Sequence, residues 1–499
     1  MPPFRGRLFQ SRGFIRGAML ANAIAALVAG YAVAACHAQP VQPGDMTVRL
    51  SGSTTTAQTA VLVLTDAWAE HLRLGKPLIR SGADPHEYEM TAASENHGAQ
   101  MRVQVSAHGT GTGLAPLLRG ESDLWMTSRP VRRSDLEAVR SQGIPDVPTL
   151  TQMRDTGNET PIGLAALVVV VNGRNPVPTL TPAQIRDIYT GNASSWAQVG
   201  GPSNLPIGRY SLDSGADETA VFCGAFMGNT DARKCMASFG MLIQTPLATL
   251  DDTAKAVAGN EAAIGFLEFM ARRDARAVPL GTACGNGIDP SLFRIKAGEY
   301  PLVMPLYLYS LPGRPLSGAA RAFLEFATGP AGQAAIAASG LTDLSPGLAP
   351  PRYTQERLDA ATDAKDDGGT KVPEEDIKAF KTAVTGAGRL SITFRFSTGS
   401  SDPQQASDPD IARLVNLMHQ PAFDGAELTL IGFSAAAEGQ DGERLSRRRA
   451  NAIRDILLLE GIEHVTSAGA GRAAPIGCNL EEESAVLNQR VEVWVRQRP

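Results

Sequence analysis

Three short turns, rich in glycine and hydroxyl side chains, hold most of the chemistry that can be read from this chain of 499 residues. The first is Ser51-Gly52-Ser53-Thr54-Thr55-Thr56. The second is His108-Gly109-Thr110-Gly111-Thr112-Gly113, and the third is Asp213-Ser214-Gly215-Ala216. Each follows a strand-like run and precedes a helix-like one. A turn in that position offers unpaired backbone N–H groups at a helix start, beside hydroxyl donors. Such groups bind phosphate or sulfate, and glycine lets the backbone approach the anion closely. One such turn is most often only a helix cap. Three in one region are more suggestive of an oxyanion site, though periodicity does not show that they converge.

Other chemistries lack their residues. There is no Gly-x-Ser-x-Gly nucleophile elbow and no phosphate P-loop. Gly111-Thr112-Gly113 lacks the third glycine of a dinucleotide fingerprint. Neither an enzyme nor a cofactor is expected. The 7 histidines never fall three to five residues apart, which argues against a metal site. A net charge of −5 argues against a nucleic-acid partner. Hydrophobic residues at 43% and charged residues at 19% are those of a folded chain, of about three domain-sized units by length.

The elements that must position the turns alternate. Met46–Leu50 reads as a strand and 60–74 as a helix. Met101–Val105 and Leu167–Val171 read as strands. A helix is expected over 181–189, with Thr181 as cap and Pro182 in the first turn. Alternation of this kind predicts an α/β domain with mainly parallel sheet over 46–345. Residues 346–389 gather prolines, aspartates and Gly368-Gly369, and predict a solvated linker with at most a short helix over 374–386. A second unit follows over 390–499. Its strands are expected at 391–396, 427–432, 465–469 and 490–496, and its helices at 411–418 and 444–460.

The N-terminus carries Arg5, Arg7, Arg12 and Arg16 with no acid, then an apolar run from Ala18 to Ala35. That is the pattern of an export signal over 1–35. Loss of its four arginines would take the charge from −5 to −9. The run ends Val33-Ala34-Ala35-Cys36 and resembles a bacterial lipoprotein processing site. The resemblance implies Cys36 as a lipid anchor. With His37 next, it also implies the outer membrane as destination; ordinary cleavage after Ala38 is the alternative. Cys223 and Cys235 lie close and are the favoured disulfide candidates in an oxidising compartment, although four cysteines allow three connectivities. Pairing of Cys284 with Cys478 stays open.

Residues 46–345 resemble the PstS-like periplasmic phosphate-binding proteins of ABC uptake systems. The matching segments are Leu50–Thr55, His108–Pro130, Thr181–Gly201, Asp213-Ser214-Gly215, Ala263–Phe266, Gly298–Leu302 and Tyr307–Tyr309. The resemblance implies a type II-like, hinged, two-lobed periplasmic-binding-protein fold that closes on phosphate or a similar oxyanion. An ABC permease is then the implied partner. Carried over by position, Ser53, Thr54 and Thr55 fall in the first anion loop, Thr110 in the second, and Ser214 and Gly215 in the third. Ser128-Arg129 stands where the family often has Ser-Asp. Arginine donates only, and it would pair bidentately with an oxyanion. Arg209 stands near the family's loop arginine, and Ala216 replaces a threonine.

Residues 390–499 resemble the peptidoglycan-associating domain of the OmpA family, an α+β module of βαβαβ type. The resemblance rests on Ile392–Phe396, Leu430–Phe433, Leu445–Ala450, Gly469–Pro475 and Asn488–Glu492. It implies peptidoglycan as partner, with Arg449 holding a carboxylate of the wall peptide. The family's acid in Gly-x-Thr-Asp is replaced here, in Gly432-Phe433-Ser434-Ala435. Glu438 or Asp441 are the nearby acids that would have to stand in for it. The expectation is therefore an exported oxyanion-binding protein of the periplasm, tethered to the outer membrane. The alternative is an envelope structural or adaptor protein whose binding fold has no small-molecule ligand.

Overall fold

The computed structural model describes residues 46–497, apart from 85, 95–99, 202–203, 230, 244–245, 286, 364–371, 405–407, 436–437 and 439–441. The expected signal segment 1–35, the expected anchor Cys36 and the candidate acid Asp441 lie outside the described residues. The chain forms two compact units. The larger holds the described residues up to Ser345 together with Ile476–Leu487, and the smaller holds Pro346–Pro475 and the chain from Asn488 on.

In the larger unit, strand Met46–Gly52 alternates buried Met46, Val48 and Leu50 with half-buried residues. It lies between Gln100–Ser106 and Leu124–Thr127, parallel to both. Beyond them the sheet turns antiparallel. Leu124–Thr127 pairs with Val303–Tyr309, which pairs with the long strand Glu159–Val171. That strand joins two lobes. Its first part, Glu159–Ala166, pairs with Val303–Tyr309, and its last part, Leu167–Val171, pairs with Ala263–Glu268 of the second lobe. The expected mainly parallel sheet is thus corrected to a mixed one. An apolar run reports burial on both faces but not strand direction, and Val303–Tyr309 returns from the other lobe against its neighbours.

Helix Pro182–Thr190 starts as its sequence requires: the Thr181 side chain accepts from the Gln184 N–H, and Pro182 needs no donor. Cys223 and Cys235 are bonded, joining helices Asp217–Met227 and Ala232–Phe239. Cys284 and Cys478 are bonded as well, across 194 residues. Beside that bond, the Ala283 N–H donates to Glu481 at 2.9 Å, so residues 476–487 are fastened to the larger unit.

The smaller unit has a four-stranded sheet in the order Gly388–Arg395, Arg490–Arg496, Glu427–Gly432, Val465–Gly469. Alternation divides its side chains between two faces. Val491, Val493 and Val495 pack with Leu428, Leu430 and with Ile453 and Leu457 of helix Gly442–Leu459. Trp494 and Ile431 pack on the opposite face with Ala361, Phe380 and Val384. These last three come from the stretch expected to be a solvated linker. That expectation is corrected for the described residues: besides the helix expected over 374–386, seen as Glu374–Val384, Pro351–Asp363 is also a helix, and Tyr353 and Phe380 are buried rather than solvated.

The acidic composition misled because this helical cover also carries charge inward. Arg357 is buried and donates to Glu492 at 2.9 Å, and Arg490 and Arg389 reach the same carboxylate at 2.6 and 3.4 Å. Burial opposes the charge on Glu492, but the three arginines outweigh it and hold the carboxyl well below its ordinary range. If the two helices are part of the core, Phe380→Ala should cost about 3–5 kcal/mol in urea unfolding of the full chain. A change below about 0.5 kcal/mol would instead mark the segment as solvated linker.

Candidate functional site

Three parallel strands end side by side, and their carboxyl ends bring the first two turns and Ser128 together. Gly52 has φ 128°, and a Cβ there would lie 2.2 Å from the Met126 carbonyl oxygen. Glycine alone lets the backbone pass this close before the chain turns into the helix that begins at Thr54. Ser53 caps that helix, its Oγ accepting from the Thr56 N–H at 3.0 Å. The second turn presses against the first: a Cβ on Gly113 would lie 2.4 Å from the Ser51 carbonyl oxygen. Trp125 Nε1 donates to the Thr110 carbonyl at 2.8 Å, and Thr110 Oγ1 lies 3.2 Å from Ser128 Oγ. Ser53, Thr54, Thr55, Thr110 and Ser128 are all buried.

The donors of these turns converge on Asp217. Ser53 Oγ donates to Asp217 Oδ2 at 2.6 Å, and the Thr110 N–H donates to Oδ1 at 3.2 Å. Thr54 Oγ1 is 3.5 Å from Oδ2, at the outer limit of a hydrogen bond. Next to them Thr55 Oγ1 donates to Glu218 Oε1 at 2.9 Å. Asp217 and Glu218 form the first turn of helix Asp217–Met227, where a helix favours negative charge. A carboxylate is a small oxyanion, so the cradle holds an oxyanion here, but one that belongs to the chain. The sequence reading missed both acids. The signal was available: two carboxylates directly after a Ser-Gly turn, opening a helix.

Neither expected arginine reaches the cradle. Arg129 pairs bidentately with Asp135 at 2.7 and 2.8 Å and also donates to the Pro130 carbonyl. Its role is to fasten the chain before helix Arg133–Ser141. Arg209 is buried and donates to the carbonyls of Ile188, Ile207 and Ala193. Burial lowers its pKa, yet no step of this geometry directs its charge at a ligand. Ser214 and Gly215 stay in the turn before Asp217, where the Gly215 N–H donates to Asp213 Oδ1 at 2.7 Å.

Carboxylates therefore dominate the electrostatics. Burial, and then the charge of Asp217, push Glu218 up to about 7, against its own backbone N–H and Thr55. Glu268 ends strand Ala263–Glu268 and is pushed up to about 7 by burial, against N–H groups of Met270, Ala271 and Ala166.

In the smaller unit Arg449 is fully enclosed. Its Nη1 and Nη2 donate to Glu438 Oε2 and Oε1 at 2.8 and 2.6 Å. Its remaining donors go to the carbonyls of Phe433, Ser400 and Ser397. All five guanidinium N–H groups thus have acceptors. Burial works against the Glu438 charge, but Arg449 with the Gly399 and Ala435 N–H groups holds it below the ordinary carboxylate range. Of the two acids considered for the missing aspartate, Glu438 does reach Arg449. It fills the arginine rather than leaving it open.

The chain is similar to several known proteins. The family described as the PBP superfamily domain matches residues 75–331 of the 499. The chain belongs to that superfamily. It is 26% identical over 244 residues to Protein SphX of Synechococcus elongatus, covering 46% of this chain and 66% of that one. It is 33% identical over 118 residues to outer membrane porin F of Pseudomonas aeruginosa, covering 23% of this chain and 33% of that one. The chain thus spans less than two thirds of the length of these relatives. An ABC-type phosphate transport receptor from Vibrio cholerae aligns at 20% identity and a TM-score of 0.42, covering 59% of this chain and 99% of that one.

The raised carboxyl groups make a pH prediction. Glu218 and Glu268 ordinarily release their protons near 4.5, and in the folded chain near 7. The unfolded chain therefore loses these protons first as pH rises. Their contribution to stability is complete below 4.5 and is lost progressively up to about 7. Glu218→Gln should flatten the decline in unfolding free energy across that window by up to about 1.4 kcal/mol per pH unit. Urea unfolding at pH 5, 6 and 7 reads this slope; an unchanged slope would contradict the buried, protonated Glu218.

Proposed function

We propose that the chain is an exported solute-binding protein that takes phosphate or a related oxyanion in the cradle of Ser53, Thr54 and Thr110. One observation carries the reading: donors from two turns, far apart in sequence, converge on the two oxygens of a single carboxylate. Similarity to the phosphate-binding protein PstS of Staphylococcus saprophyticus, at 25% identity over 216 residues, and of Bacillus subtilis, at 23% over 224 residues, supports it. Ser128 adjoins the same cradle, its Oγ 3.2 Å from Thr110 Oγ1.

In this proposal the C-terminal unit keeps the binding lobes in the cell envelope. The similarity to porin F supports an outer-membrane setting, and Cys36 would supply a lipid anchor. Peptidoglycan is the proposed contact of this unit and an ABC permease the proposed recipient of the solute. A tether raises the local concentration of the lobes near the wall. It also restricts travel to an inner membrane, which favours scavenging or sensing close to the outer envelope.

A second reading has its own support. The anion in the cradle is Asp217, and Arg129 and Arg209 are engaged elsewhere. An envelope adaptor with a ligand-free binding fold would have the same features. Calorimetric titration of the folded, anion-free chain with phosphate and then sulfate separates the two. The receptor reading expects saturable heat that weakens about tenfold or more in Ser53→Ala, as a lost hydrogen bond to a charged ligand implies. Absence of heat with both anions, in wild type and in Asp217→Ala alike, would favour the adaptor reading. Co-sedimentation with purified peptidoglycan should retain the full chain in the pellet; a chain left wholly in the supernatant would remove the wall-binding part of the proposal.

A further inference from the structure

An external oxyanion entering the cradle meets an anion already there. Asp217 is 8% exposed, and its two oxygens accept from Ser53, Thr54 and Thr110. These are the donors that a solute would need. They belong to the lobe built on Met46–Gly52, whereas Asp217 follows Gly208–Arg209, which pairs with Ala263–Glu268 in the other lobe. The bonds therefore also join the two lobes. Glu218, immediately beside Asp217, is bound to Thr55 in the same way. A second anion cannot share these donors, because two like charges in a buried site repel strongly.

We propose that Asp217 is an internal ligand, an occupant of the cradle that competes with external oxyanions and holds the cleft closed when no solute is bound. The inference rests on the oxyanion reading of the same site. Binding then requires the Asp217 carboxylate to leave Ser53 and Thr110. Asp217 rather than a cation sets the affinity, and an anion of charge −2 feels the competition more than one of charge −1. The exposed Gly215 and half-buried Ser214 next to it give the first turn of the helix a solvent side toward which the carboxylate can withdraw.

The test uses the full chain, as wild type, as Asp217→Ala, and as Asp217→Ala combined with Ser53→Ala. Each is titrated with inorganic phosphate and with acetate, by calorimetry and by thermal unfolding. Asp217→Ala should bind phosphate about tenfold or more tightly than wild type, the scale of relief from a like charge. It should also have a lower thermal midpoint, because buried donors lose their acceptor, and phosphate or acetate should restore it. Adding Ser53→Ala should abolish both effects. Equal or weaker phosphate binding by Asp217→Ala, with wild type binding normally, would overturn the internal-ligand inference and leave the oxyanion reading standing. No binding of either anion to any variant would overturn both. If Asp217→Ala does not fold, Asp217→Asn keeps the volume and one acceptor while removing the charge; it should still bind phosphate more tightly, and affinity equal to wild type would overturn the inference.

Discussion

The hydrogen bond from Ser53 to Asp217 is the contact around which the larger unit is organised at its cleft. It requires three parallel strand ends to lie level, a glycine at position 52 so that the chain can turn within reach of Met126, and a helix start on each side. It also requires the second lobe to present its acid across the cleft, which the shared strand Glu159–Val171 allows. Two helix N-termini that face one anion stabilise it from both sides. Among the described residues the site is thus built for negative charge by dipoles and hydroxyls, without an arginine.

A buried carboxylate recurs elsewhere in the chain, with different partners. In the smaller unit Glu438 meets Arg449, and Glu492 meets Arg357, Arg389 and Arg490. There cations outweigh burial and the acids stay ionised. In the larger unit Glu218 meets the Thr55 hydroxyl and its own N–H, and Glu268 meets backbone N–H groups with Arg272 as a weaker influence; burial prevails, and their pKa values rise. The same residue type therefore fastens a core in one unit and leaves titratable groups near a cleft in the other. Formal charge alone does not separate these cases; the partner does.

Arginine placement shows the same point from the other side. Arg129 and Arg209 stand in the right stretches of sequence for a ligand-binding role, yet each is captured nearby. Asp135 lies six residues after Arg129 and opens the adjoining helix, where a bidentate pair forms with little loss of freedom. Arg209 finds three backbone carbonyls around its own short strand. A guanidinium whose donors are already satisfied nearby would have to break those bonds to turn toward the cleft.

By itself the sequence determined many of the elements and their order, because the periods of burial and the caps are local. Thr181-Pro182 opens a helix, Met46–Gly52 alternates, and strands Glu427–Gly432, Val465–Gly469 and Arg490–Arg496 fall where their patterns place them. The hydroxyl turns of the cradle were legible for the same reason. Tertiary structure alone decided direction and partnership. It set the sheet to mixed pairing and packed an acidic, proline-rich stretch as helices against Trp494. It also bonded Cys284 to Cys478 and brought Asp217, more than a hundred residues away, to Ser53 and Thr110. Burial patterns are periodic along the chain, whereas the choice of a charged group's partner depends on which segments meet in space.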